Sequence, residues 1–183
     1  NPEGSLLATA GESAEEIWDV ASGKRVYILE EEEHKGRVKS VAFSPDVKLL
    51  VSGSTDKNIK IWDLSKRQLI RNLTGHDASV VSVALSPDGE KIVSSACEGT
   101  IRIWNINDGK CIQELAGHQN WVWWVTFSPD GQFIASASQD ESIILWDKNG
   151  NNLARMQAKR PLEGMQITGA TGLTMAEKSD LIA

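Results

Sequence analysis

The chain has 183 residues, 40% hydrophobic and 24% charged, with a formal net charge of −6. That size suits one domain or a large part of one, and the composition is that of an ordinary globular protein. The acidic balance argues against nucleic acid as the main partner, because phosphate recognition needs a basic footprint, and no apolar run approaches the roughly 20 residues of a membrane-spanning helix.

In chain order, residues 1–33 read as an incomplete unit. "NPEGSLLATAGE" lines up with the later "SPDGEKIVSSAC", so Pro2 matches Pro45 and Trp18 matches Trp62. Residues 34–75 form the first complete unit. Its runs of apolar and β-branched residues each end on turn chemistry: "VKSVAF" at "SPDV", "LLVSGS" at "TDKN", "IKIWDL" at "SKRQ" and "LIRNL" at "TGH". These predict four short strands, a to d. Residues 76–117 and 118–157 repeat the frame: His34, His76 and His118 are 42 apart, as are Pro45, Pro87 and Pro129, and Trp62, Trp104 and Trp146.

Both faces of these strands carry apolar residues. No unit can bury its faces alone, so the sheets must stack, and radial stacking of four-stranded sheets makes a β-propeller. The predicted fold is therefore all-β: three complete blades after one blade (1–33; strands b, c and d) that lacks its first strand, in an open arc. Ser-Pro-Asp-Gly between strands a and b is a turn whose Gly accepts positive φ. Val47 replaces that Gly in the first full unit and predicts a different turn geometry there. Residues 158–183 leave the repeat. Their "TMAE" is a capping box that predicts a helix starting near Thr174.

Gly-His near one end of each unit, Trp-Asp near the other and the 42-residue period resemble the WD-repeat β-propeller family over residues 1–157. The tail "GMQITGATGLT" resembles one that follows the repeats in some bacterial multidomain WD-repeat proteins. With the missing first strand and the absent Met start, this leads us to expect a C-terminal piece of a larger protein that carries the remaining propeller blades.

The resemblance implies a hydrogen-bonded tetrad in each blade: His, a strand-b Ser or Thr, a b–c turn Asp and the strand-c Trp. The positions are His34, Ser52, Asp56 and Trp62; His76, Ser94, Glu98 and Trp104; and His118, Ser136, Asp140 and Trp146. Glu98 replaces Asp and is expected to shift its carboxylate and leave that network partly satisfied. The incomplete blade keeps Thr9 and Trp18 but has Ser13 at the acidic position. Because the tetrads account for every histidine, none is left as a general base or for a His-rich metal site, and there is no Gly-rich phosphate loop or CxxC pair. The reading is of a non-enzyme with no cofactor and no metal. Cys97 and Cys111 are too few for a disulfide framework and read as reduced thiols of a cytoplasmic protein.

Binding candidates follow from the face that, by the resemblance, carries the d–a and b–c loops. Glu30, Glu31, Glu32 and Glu33 fill an enlarged d–a loop, and Glu12, Glu15 and Glu16 are expected to converge with them on one part of that face, which reads either as a solvated charge run with no partner or as a site for a basic segment. Trp121 and Trp123, in register with Arg37 and Lys39, are candidates for a peptide-docking patch. Trp124 falls on the opposite side of the pleat and is expected to be inter-blade core. The function read from these features is a protein-interaction scaffold that binds a protein or peptide ligand, as the sensing or recruiting part of a larger regulatory protein. The alternative is a purely structural module.

Overall fold

A computed structural model describes residues 1–11, 14–29 and 34–157. All regular structure among them is β. The first blade is a three-stranded antiparallel sheet of β1 (Leu6–Ala10), β2 (Glu15–Asp19) and β3 (Lys24–Leu29). The second contains β4 (Val38–Phe43), β5 (Leu49–Ser54), β6 (Ile59–Asp63) and β7 (Gln68–Leu73). The third contains β8 (Val80–Leu85), β9 (Lys91–Ala96), β10 (Ile101–Asn105) and β11 (Cys111–Leu115). The fourth contains β12 (Val122–Phe127), β13 (Phe133–Ser138), β14 (Ser142–Asp147) and β15 (Asn152–Gln157). The all-β blade architecture matches the expectation, and the helix predicted near Thr174 lies outside the described residues.

The blades stack through their inner strands. β1 packs on β4, β4 and β5 pack on β8, and β8 and β9 pack on β12, leaving an open arc. Each inner strand has a bulge, between Val38 and Ser40, Val80 and Ser82, and Val122 and Trp124. One extra residue there turns the strand over. Val38 and Val41 therefore face the same neighbour although three residues separate them.

The core is divided into three inter-blade clusters. Ile17, Leu29, Leu50, Trp62 and Leu64 fill the first junction. Val51, Ile59, Ile61, Val80, Val83 and Trp104 lie at the second. Val93, Ile101, Ile103, Val122, Val125 and Trp146 lie at the third. Each junction thus takes the conserved-register Trp of the later blade against the aliphatic face of the earlier one. Among the described residues no earlier blade lies beside Trp18, which is only half-buried.

The a–b turns correct one expectation. Val47 adopts φ 59°, beside 74° at Gly89 and 67° at Gly131. Its N–H donates to the Ser44 carbonyl at 2.9 Å, as Gly89 donates to Ser86 and Gly131 to Ser128. The turn geometry is thus retained rather than replaced. Positive φ is unfavourable for a β-branched residue, but Val47 packs its side chain against the first junction. Ser44 and Asp46 hold the turn from inside: Ser44 Oγ donates to Asp46 Oδ1 at 2.7 Å and accepts from the Leu49 N–H at 2.9 Å.

Truncating a large buried aromatic costs about 3–5 kcal/mol through lost transfer energy and the cavity left behind. Trp104→Ala is therefore expected to lower stability by that amount in urea titration, and Trp18→Ala by less than half as much.

Candidate functional site

Three complete hydrogen-bonded tetrads cross the blades. In the second blade Trp62 Nε1 donates to Ser52 Oγ at 3.0 Å, Ser52 contacts His34 Nε2 at 2.9 Å, and His34 Nδ1 contacts Asp56 Oδ2 at 2.9 Å. An indole can only donate and a carboxylate can only accept. The Ser52 hydroxyl therefore donates to Nε2, and Nδ1 carries the imidazole proton toward Asp56. Burial lowers the pKa of His34, which keeps the ring neutral and Nε2 an acceptor. The fourth blade repeats the set, with 2.9 Å from Trp146 to Ser136, 2.8 Å from Ser136 to His118 and 3.0 Å from His118 to Asp140. Arg155 Nη2 adds an ion pair to Asp140 at 3.0 Å, a contact that only the folded sheet brings together.

The third blade differs as its longer carboxylate requires. Trp104 donates to Ser94 at 2.8 Å, Ser94 meets His76 Nε2 at 2.7 Å, and His76 Nδ1 bonds Glu98. Asp56 and Asp140 accept the backbone N–H of the residue after the histidine, Lys35 and Gln119. Glu98 reaches one residue further and accepts from Ala78 N–H at 3.1 Å, while Thr100 Oγ1 fills its other side at 2.9 Å. The carboxylate is shifted, but the network is satisfied, against the expectation of a partial one. Burial would raise the Glu98 carboxyl, yet the bond to His76 and its other partners bring it down to about 2. In the first blade Trp18 Nε1 donates to Thr9 Oγ1 at 3.1 Å. Ser13 lies outside the described residues.

These tetrads lock loops as well as strands. The b–c turn residues Thr55, Cys97 and Gln139 donate their backbone N–H to the carbonyls of Arg37, Ser79 and Trp121, at 2.9, 3.0 and 2.8 Å. Residues 37, 79 and 121 are thus held at equivalent places on one face. Trp121 and Trp123 form an edge-to-face pair with ring centroids 5.2 Å apart, and they are 44% and 45% exposed. Arg37 and Lys39 stand at the start of β4, separated from this pair by β8, so the two sets do not merge into one patch. Trp124 corrects the sequence reading: it is 62% exposed on the free side of the last blade. Its counterparts Ser40 and Ser82 face a following blade, which β12 lacks among the described residues.

The acidic cluster is also revised. Glu30–Glu33 and Glu12 lie outside the described residues, and Glu15 and Glu16 are strand residues of β2. Glu16 pairs with Arg25 at 2.8 Å. Glu15 is fully buried, and both carboxylate oxygens lack a hydrogen-bond partner; Oε1 stands 3.7 Å from His34 Nε2. It occupies the place of Ile59 and Ile101 in the next blades, both also fully buried. The register of the repeat was the available signal for it. Burial pushes its carboxyl up to about 7, against the weaker pull of Ser52, Lys60 and Trp62 nearby. Among the described residues no group of three or more His, Cys, Asp or Glu is placed to hold a metal, and no helix is long and apolar enough to cross a membrane.

Stacked antiparallel sheets, of which the three four-stranded ones are each pinned by a Trp–Ser–His–carboxylate chain, define a repeat scaffold. The WD domain, G-beta repeat, matches residues 23–63, 67–105 and 109–147, and the chain belongs to this family. Those matches begin just before the outermost strand of one sheet and end in β6, β10 and β14 of the next. The chain is similar to the small ribosomal subunit protein RACK1z of Oryza sativa subsp. japonica, with 35% identity over 74 residues, 40% of this chain and 21% of that protein. It is 36% identical over 67 residues to the target of rapamycin complex subunit LST8 of Saccharomyces cerevisiae, 37% of this chain and 22% of that one. It is 35% identical over 72 residues to WD repeat-containing protein 1 of Mus musculus, 38% of this chain and 12% of that one. The matched stretch therefore spans about a fifth or less of these relatives.

Two outcomes follow from the buried polar groups. Ser94→Ala strands both the Trp104 N–H and His76 Nε2 in the interior, and is expected to cost about 2–4 kcal/mol in chemical denaturation. Glu15 carries a pH dependence. Its carboxyl titrates near 4.5 when unfolded and about 7 when folded, so the folded state binds the proton more tightly. Its stabilising contribution is full below the unfolded value and is lost as the pH rises through the folded one. Denaturation midpoints of Glu15→Gln and the parent chain should therefore diverge in favour of the variant, by roughly 3 kcal/mol between pH 4 and pH 8.

Proposed function

We propose that this chain is a non-catalytic protein-interaction module that binds a peptide or protein segment on its loop-bearing face, as the recruiting part of a larger regulatory protein. The observation that carries this is the Trp121–Trp123 pair. Two indoles, each close to half-exposed, stand edge-to-face, Trp121 at the end of a loop that the Asp140 tetrad clamps and Trp123 at the start of β12. Rigid aromatics of this kind bury large area at low conformational cost and are enriched at binding hot spots. The net charge of −6 and the run Glu30–Glu33 favour a basic partner over nucleic acid or an acidic membrane surface. The names of two relatives, a ribosomal subunit protein and a subunit of the target of rapamycin complex, support a role within assemblies.

Several features support the non-catalytic reading. The side chains of His34, His76 and His118 are buried within tetrads, which leaves them no access to a substrate. Cys97 and Cys111 are both unpaired, which fits a cytoplasmic setting. The second reading, a purely structural module, is favoured by the apolar residues exposed on the last blade, a surface suited to permanent assembly.

Selection of a displayed random-peptide library on the full chain tests the proposal. Selected peptides should lose at least about tenfold in affinity on Trp121→Ala or Trp123→Ala, and charge reversal of Glu30–Glu33 should weaken the basic ones. Binding unchanged by all of these substitutions would remove the loop-face reading and leave the structural one.

A further inference from the structure

On the face opposite the tetrad loops, formed by the a–b and c–d turns, the sequence departs from its own repeat at one junction. Leu6, Leu49 and Lys91 open β1, β5 and β9, and Leu64, Ile106 and Lys148 directly follow β6, β10 and β14 of the next sheet. Leu6 and Leu64 pack in the first junction, and Leu49 and Ile106 in the second. At the third junction both members of the aliphatic pair are lysine.

The backbone changes at the same place. Trp62 pairs with Leu69 and Trp104 with Cys111, seven residues on, whereas Trp146 pairs with Asn152, only six on. The last c–d turn is thus one residue shorter. In the earlier blades this turn is tied to the a–b turn: Leu64 N–H donates to the Lys48 carbonyl at 2.9 Å and Ile106 N–H to the Glu90 carbonyl at 3.0 Å. The bond does not recur from Lys148 to Gln132 among the described residues. Where two aliphatic side chains close the earlier junctions, the third holds a cavity of about 350 Å³, with Ile103 and Phe127 in its wall and Lys91 and Lys148 contributed from the two blades. That volume lies within the range of ligand pockets, roughly 300–1,000 Å³.

Charge says what the cavity takes. Neither lysine has a carboxylate within ion-pair distance among the described residues, whereas Lys48 in the second blade pairs with Asp46 at 3.2 Å. Two ammonium groups at the positions of a packed pair repel each other until an anion lies between them. Asp88 and Asp130 also line the cavity, but they belong to the repeated turn. Like Asp46, each uses Oδ1 to accept from a serine hydroxyl and from the N–H two residues on. Their other oxygens are left for donors on the ligand, which favours a phosphate ester with a hydroxyl or amide of its own over a bare polyanion. A phosphate monoester carries roughly two negative charges at pH 7, a match for two lysines, and a carboxylate carries one.

We propose that the cavity between the third and fourth blades binds a phosphate monoester, with the phosphate between Lys91 and Lys148 and the body of the ligand against Phe127 and Ile103. The site lies on the opposite face from the Trp121–Trp123 pair and is independent of it. The same group reaches it either on a phosphorylated side chain of a partner or on a small free phosphate ester.

NMR titration of the isotope-labelled full chain tests this, with N-acetyl-phosphoserine methylamide and glycerol 3-phosphate as the two probes. Saturable shifts are expected at the amides of residues 88–91, 130–132 and 148–149, and the probe that binds more tightly identifies the source. The double variant Lys91→Leu, Lys148→Ile recreates the Leu49–Ile106 pair. It should therefore keep a urea midpoint at or above the parent's while losing at least about tenfold in affinity. Lys110→Ala, in a c–d turn on the same face, should retain binding. Absence of saturable shifts with both probes overturns the proposal, as does undiminished affinity in the double variant. An equal loss in Lys110→Ala overturns it in favour of diffuse attraction, and equal affinity for N-acetyl-glutamate methylamide overturns the assignment to phosphate.

Discussion

Everything in this molecule depends on the fact that each of its sheets is apolar on both sides. Ile59 and Ile61 project from one face of the second blade while Trp62 projects from the other, and all three are essentially excluded from water. A single sheet of this kind has no state in which it is both isolated and stable. Stacking is the only solution, and it makes the junction, rather than the blade, the unit of the core. The three clusters each draw residues from two blades for this reason.

The tetrads act on that arrangement at right angles. A junction of aliphatic side chains specifies contact but little about loop position. The chain from Trp through Ser and His to a carboxylate begins in the apolar junction and ends on the backbone of the loop before the inner strand. Each link is satisfied inside a low-dielectric interior, where an unsatisfied one would be costly. Core packing is thereby transmitted to the face on which Arg37, Ser79 and Trp121 stand. Glu98 shows how much play this design has: one added methylene moves the accepted N–H by one residue, and Thr100 closes the gap. Glu15 shows where the play ends, since a carboxyl in an isoleucine position has no donor to meet it.

The repeat was legible because every blade solves the same packing problem with the same residues at the same spacing. The all-β blades of short antiparallel strands could be read from the spacing of the chain alone. What misled was treating a position by residue type alone. Val47 was expected to reject the turn because of its β-branch, but its side chain has a junction to pack into. Glu15 was grouped with exposed acids because its neighbours in sequence are acidic, although its register placed it among buried isoleucines. Trp124 was assigned to a junction by its pleat direction; the direction is correct, and the exposure comes from its being on the last described blade.

By itself the sequence determined the period, the strand alternation and the identity of the hydrogen-bonding side chains, since these follow from local chemistry repeated in register. Only the tertiary structure decided which faces are closed. Exposure of Trp124, burial of Glu15 and the pairing of Trp121 with Trp123 depend on what lies across the sheet or along the next strand. A one-dimensional repeat states what each blade can bury. The order and the ends of the stack settle which blade finds a neighbour to bury it against.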